Sequence, residues 1–237
     1  MAGTLYLGTS GFAYDEWKGP FYPVGTRQKD MLPFYASRFP SVEINYTFRQ
    51  QPAEKTLQAW RAATPEGFLF TLKAHQRITH WKRLADADEP VSAFLERARL
   101  LGPRLGVILF QLPPNLPFDR PLIESFLAYL PPTFRYAFEF RHASWAEAKP
   151  ILAGQGAAWC VAETNEQPAP EEPLPPGPFA YLRLRKEAYS DDDLRTWASR
   201  VQPFMDEGRD VFCYFKHEDK GAGPILAERM ASLVGTP

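Results

Sequence analysis

The 237-residue sequence predicts an α/β fold, a single domain built as a (β/α)8 barrel of eight parallel strands, and three observations carry that prediction. Eight segments read as buried strands. Seven of the eight crossovers carry a helical pattern. Most strands also run into polar or ionisable residues at their C-terminal ends.

The strands are Leu5 to Gly11, Val42 to Phe48, Phe68 to His75, Leu105 to Leu112, Arg135 to His142, Ala157 to Thr164, Phe179 to Arg185 and Asp210 to His217. Leu105 to Phe110 and Phe179 to Leu182 are nearly continuous in apolar residues, as parallel strands covered on both faces should be, and such strands need long crossovers. The crossovers place helices over Met31 to Phe39, Ala53 to Ala63, Pro90 to Leu101, Pro121 to Leu130, Ser144 to Leu152, Asp191 to Met205 and Gly223 to Leu233. Leu32, Tyr35, Ala36 and Phe39 keep helical spacing, as do Leu194, Trp197, Ala198 and Val201. Ser190 followed by acidic residues marks a helix start, with carboxylates at the positive end of the dipole. The sixth crossover, Gln167 to Pro178, is dense in proline and is predicted to be an extended surface segment, leaving seven full helices. A doubly wound open sheet is the competing architecture. Eight units, and the absence of a glycine-rich dinucleotide fingerprint after the first strand, favour the closed barrel.

A formal net charge of −1 argues against nucleic-acid binding driven by bulk charge, while leaving room for a local basic patch. Met1 to Gly8 has no secretory pattern and no apolar run reaches membrane-spanning length, so the expectation is a cytoplasmic protein without a membrane partner. Cys160 and Cys213 fall in the sixth and eighth strands, a whole strand apart, and are expected to be buried and reduced. Oligomeric state is left open.

Several ordered segments together resemble the YecE-like family, also called domain of unknown function 72. They are Gly8-Thr-Ser-Gly-Phe-Ala-Tyr14 with Trp17 and Phe21-Tyr-Pro23, Val42-Glu-Ile-Asn45 with Thr47 and Phe48, and Thr79-His80 with Arg83-Leu84. Phe110-Gln-Leu-Pro-Pro114, Glu139-Phe-Arg-His142 with Ser144-Trp145, and Tyr189-Ser190 with Leu194 and Trp197-Ala198 complete the series. The resemblance implies a TIM-barrel-like fold and no settled activity. The chain departs from the family pattern at Arg185-Lys186, where His-Gly is frequent, at Lys216-His217, where paired Asn is frequent, and at Arg49, where Tyr is usual. These changes add positive charge around the expected site.

Barrel chemistry sits at the C-terminal ends of the strands, and period-two alternation groups the side chains there. Glu43 falls with Asn45 and Thr47, Lys73 with His75, Glu139 with Arg141, and Arg183 with Arg185. Lys73, Arg141, Arg183 and Arg185 predict a cationic rim for a small anionic ligand, a phosphorylated sugar or nucleotide-like compound. Glu43, Glu139 and Glu163 are candidate general bases, Glu43 and Glu139 foremost, with His75 and His142 as acid/base helpers. Ser10, Asn45, Gln111, Glu163 and His217 complete the expected binding set. A divalent metal among the histidines and carboxylates is the less favoured reading, because no compact metal motif occurs and the neighbouring cations oppose it.

Three functions therefore stand side by side. The first is an acid/base enzyme acting on a small anion. The second uses the same rim for nucleic-acid binding or metal-dependent phosphodiester cleavage, with stacking on Trp81 or Tyr14. The third is a noncatalytic partner-binding scaffold, which the charged rim would fit if it were filled by its own salt bridges.

Overall fold

A computed structural model describes residues 2–169, 173–216 and 221–234. Eight strands follow one another around a ring: β1 (Leu5–Thr9), β2 (Ser41–Ile44), β3 (Leu69–Lys73), β4 (Leu105–Gln111), β5 (Arg135–Glu139), β6 (Ala158–Glu163), β7 (Ala180–Leu184) and β8 (Val211–Phe215). All paired neighbours are parallel, and β1 pairs with β8. The architecture is that of a TIM-barrel-like α/β fold, as predicted.

Among the described residues the α-helices are α1 (Gln28–Arg38), α2 (Glu54–Ala62), α3 (Asp88–Ala98), α4 (Arg120–Tyr129), α5 (Lys149–Gly154), α6 (Asp191–Asp206) and α7 (Ala222–Leu233). Between β6 and β7 the described residues form no helix, as the prolines predict. Local chemistry fixes the helix starts. Asp119 accepts from the Leu122 N–H at 3.0 Å, and Ser190 with Asp193 forms a reciprocal capping box. Two apolar layers result. Leu69, Val107, Leu109, Phe179 and Phe212 fill the lower barrel interior, and a larger layer sits between the barrel wall and its helices. Cys160 and Cys213 are buried free thiols.

The ring closes differently at the β1–β2 seam. The Tyr35 hydroxyl, carried by α1, accepts from the Thr9 N–H at 2.8 Å and donates to the Ser41 carbonyl at 3.1 Å. It thereby replaces a backbone rung that the two strands do not make directly. Gly8 makes this possible, because a Cβ there would fall 2.0 Å from the Ser41 carbonyl oxygen and 2.8 Å from the Tyr35 hydroxyl. One step higher the seam regains a backbone bond, from the Gly11 N–H to the Glu43 carbonyl at 2.8 Å.

No helix of the described residues is long and apolar enough to cross a membrane.

Candidate functional site

Polarity rises along the barrel axis. Above the apolar layer, the Tyr214 hydroxyl meets Ser41 Oγ at 2.6 Å and Thr71 Oγ1 at 2.9 Å. These inward positions fix the parity of their strands, so the next inward residues are Glu43 on β2 and Lys73 on β3. On β7, Tyr181 points inward and Arg183 follows it. Glu139 and Arg141 are the corresponding pair at the end of β5.

The result is a sealed ionic layer. Arg183 donates through Nη2 to Glu43 Oε1 at 2.8 Å and through Nη1 to Glu139 Oε2 at 2.5 Å, joining carboxylates from β2 and β5, three strands apart on the ring. Ser10 Oγ, at 2.7 Å, and the Tyr181 hydroxyl, at 2.6 Å, also donate to Glu43. Asn45 bridges the pair, its Nδ2 donating to Glu43 at 3.1 Å while its Oδ1 accepts from Arg183 at 3.2 Å. Gln111 lies 3.5 Å from Arg183. Glu43, Glu139 and Arg183 are 0%, 1% and 2% exposed.

A second tier stands above. Arg185 Nη2 and Arg141 Nε each donate to Glu139 Oε1 at 2.7 Å, with side chains 12% and 31% exposed. Arg185 Nε is buried and has no hydrogen-bond partner among the described residues. Lys73 Nζ lies 4.1 Å from the centre of the Phe48 ring and has no carboxylate within ion-pair distance among the described residues. Four inward cations thus face two carboxylates, a surplus of two positive charges among the described residues.

Electrostatics separate the two tiers. Burial alone would push Glu43 and Glu139 up, but arginine charge outweighs it. Arg183, with its hydrogen bonds and those of Tyr181 and Ser10, holds Glu43 below the ordinary carboxylate value. Arg183, Arg185 and Arg141 hold Glu139 well below it. Lys73 moves the other way. Burial, then the charge of Arg183, lowers its ammonium from the usual 10.5 to about 8.

The structure brings Ser10, Glu43, Asn45, Lys73, Gln111, Glu139, Arg141, Arg183 and Arg185 to one mouth. It does not bring Glu163 there. That side chain lies on the outer face of β6, where Oε2 accepts from the Tyr189 hydroxyl at 2.8 Å and from Trp197 Nε1 at 2.9 Å. The inward positions of β6 are Ala158, Cys160 and Ala162, so parity sends Glu163 to α6. His75 is engaged at its strand end, with Nδ1 accepting from the Arg77 N–H and Nε2 donating to the Arg49 carbonyl, both at 3.2 Å. His142 caps the short helical turn at Ala143–Ala148 through the Ser144 N–H. His217 lies outside the described residues.

His80, absent from the expected set, packs edge-on against the same Phe48 ring that Lys73 covers, at 4.8 Å. Burial, followed by the charges of Lys73, Arg141 and Arg83, lowers its imidazole pKa. It reaches this place through a five-residue π-helix, Arg77–Trp81, after β3. Thr79-His80 stands out in the sequence, but nothing in strand or α-helix periodicity predicts that turn. Among the described residues no three His, Cys, Asp or Glu side chains converge as a metal site would require.

Two cavities flank these features. One of about 580 Å³ adjoins the mouth at Asn45 and is walled by Phe12, Tyr14, Leu32, Tyr46 and Trp60. Another, of about 760 Å³, opens at the opposite end of the barrel beside Gly67, Pro103 and Phe134. Barrel enzymes place their chemistry at the C-terminal end, which sets the smaller cavity beside the candidate site.

Fold and site together define an eight-stranded α/β barrel with a charged C-terminal mouth. The chain belongs to the family described as "Protein of unknown function DUF72", whose model matches residues 6–237. It is 32% identical to UPF0759 protein YecE of Escherichia coli K12 over 58% of this chain, a match spanning about half, 48%, of that relative. Identity to UPF0759 protein YunF of Bacillus subtilis is 28%, covering 97% of this chain and 94% of the relative. A DUF72 family crystal structure from Thermotoga maritima superposes with a TM-score of 0.81 at 25% identity, covering 98% of this chain and 99% of the other.

Proposed function

We propose that the mouth binds a small anion, a phosphorylated or carboxylated metabolite, on Arg141, Arg185 and Lys73. The observation that carries this reading is the charge surplus. The carboxylates are sealed beneath Arg183, while the cations above them are partly open to solvent. The partnerless Nε–H of Arg185 supports it, since a buried donor without an acceptor is costly. The adjoining cavity of about 580 Å³ is the size of a small-ligand pocket and suits an apolar portion of the same compound.

Glu43 and Glu139 act in this reading as fixed counter-charges and not as general bases. Each is buried, saturated by donors and depressed below the range a base needs near neutral pH. In this reading the sealed layer supports the barrel and the tier above it is the binding surface.

The test is a thermal-shift and calorimetric screen of inorganic phosphate, sugar phosphates and small carboxylates. Arg141→Ala and Arg185→Ala should each weaken binding of a positive compound by roughly 10- to 100-fold, the worth of a charge-assisted hydrogen bond. If no anion stabilises the protein at millimolar concentration, the reading fails.

A nucleic-acid ligand is the second reading. It is favoured by Trp81, 66% exposed at the end of the π-helical turn that begins at Arg77, with Lys82 and Arg83 following it. Affinity for short oligonucleotides that falls steeply with salt, and on Trp81→Ala, would select it.

A further inference from the structure

We infer that Lys73 is the nucleophile of the mouth, its amine condensing with the aldehyde or ketone group of a small anionic carbonyl compound to form an imine. The inference rests on the anion-binding reading for its substrate class, and on separate observations for the amine. Lys73 ends β3 on the inward face, with Thr71 below it bonded to Tyr214 inside the barrel. The two carboxylates that would ordinarily claim a lysine there are taken by arginines, Glu43 by Arg183 and Glu139 by Arg183, Arg185 and Arg141. The amine is left against the face of Phe48, desolvated on one side and without an anionic partner among the described residues.

Those surroundings disfavour the ammonium form. With the group lowered to about 8, roughly a tenth of it is the free amine at pH 7, against less than about a thousandth for an ordinary lysine. Such a lysine, dehydrated and beside other cations, is the activated form that imine chemistry requires. Arg141 and Arg185 would hold the anionic end of the same compound.

The step balances without oxidant or reductant. The Nζ lone pair adds to the carbonyl carbon and the C=O π pair moves to oxygen, which takes up a proton as nitrogen loses one. A second proton, taken from solvent water, lets that hydroxyl leave as water while the nitrogen lone pair forms the C=N bond, and the product is the protonated imine that a hydride donor reduces. His80, packed on the same Phe48 ring that Lys73 covers, is the imidazole the structure places to relay these protons.

The experiment is reductive trapping on the full chain. Glycolaldehyde phosphate, and separately uncharged glycolaldehyde, is incubated with the protein and cyanoborohydride, and the labelled lysines are located by peptide mass spectrometry. Lys73 should label about tenfold faster at pH 7.5 than the exposed Lys55, which lies outside the adjoining cavity, with a rate that rises to half its maximum near pH 8. Lys73→Arg, which keeps the charge, should lose that label and leave the others. Labelling of Lys73 no faster than of Lys55, with both aldehydes, overturns the inference. The anion reading fails separately. Rapid labelling by both aldehydes, unprotected by inorganic phosphate, would keep the nucleophile and remove the anion site. Phosphate binding without preferential labelling would do the reverse.

Discussion

Glu139 and Glu163 end neighbouring strands, at the same end of the barrel, and both are buried, yet they do different things. Glu139 points inward and is held by three arginines. Glu163 points outward and accepts from two neutral donors, a tyrosine hydroxyl and an indole N–H, that fasten α6 to the wall. The contrast shows that strand parity decides whether a buried carboxylate joins the site or the scaffold. One residue of difference in register carries a charge across the sheet.

Removing the cation that joins the inward pair should have the largest effect. Arg183→Met leaves Glu43 and Glu139 buried without their shared partner and should cost about 3–5 kcal/mol in urea denaturation. A loss below about 1 kcal/mol would mean that the layer is not the ionic keystone the distances indicate.

Acid should reveal the same pair. Glu139 has a lower pKa folded than unfolded, so the unfolded chain takes up its proton first as pH falls through about 4.3. The stability it contributes is complete above that value and is lost on the way down to the folded pKa. The melting temperature should therefore drop progressively below about pH 4.5, and Glu139→Gln should flatten the slope. An unchanged slope would remove Glu139 as the titrating group.

The outward carboxylate should be the milder case. Glu163→Gln keeps an acceptor for Tyr189 and Trp197, should cost about 1–2 kcal/mol, and should leave anion affinity unchanged. A loss of anion affinity in that variant would erase the distinction between the two faces. Smallest in stability is Arg141→Ala, where a partly exposed pair is worth about 1 kcal/mol or less. Its effect should appear in ligand affinity, as a weakening with little change in melting temperature.

Strand count, the absence of a helix among the described residues of the sixth crossover and the inward grouping of Glu43 with Asn45, Glu139 with Arg141 and Arg183 with Arg185 were legible because each depends on local period or composition. Glu163 was misplaced for a reason the sequence does hold: Ala158, Cys160 and Ala162 form the small-residue set that a crowded barrel interior takes, which sends Glu163 outward. Which arginine takes which carboxylate was not legible. Arg183 and Glu43 are 140 residues apart, and their pairing is settled only when the ring assembles. His80 was hidden for a third reason, since its position follows from a π-helical turn that no ordinary periodicity signals.

The Tyr35 hydroxyl at the β1–β2 seam ties the topology of the sheet to the docking of a helix. Between Gly8 and Ser41 the cylinder is riveted from outside, by a side chain of α1 inserted where a rung is missing. Lifting α1 would bare two strand edges at once, the kind of surface that recruits other chains. Closure of the ring and seating of its first helix should accordingly be a single cooperative event, and Tyr35→Phe, which keeps the ring and removes only the rivet, should speed amide exchange at Thr9 before it loosens the rest of the barrel.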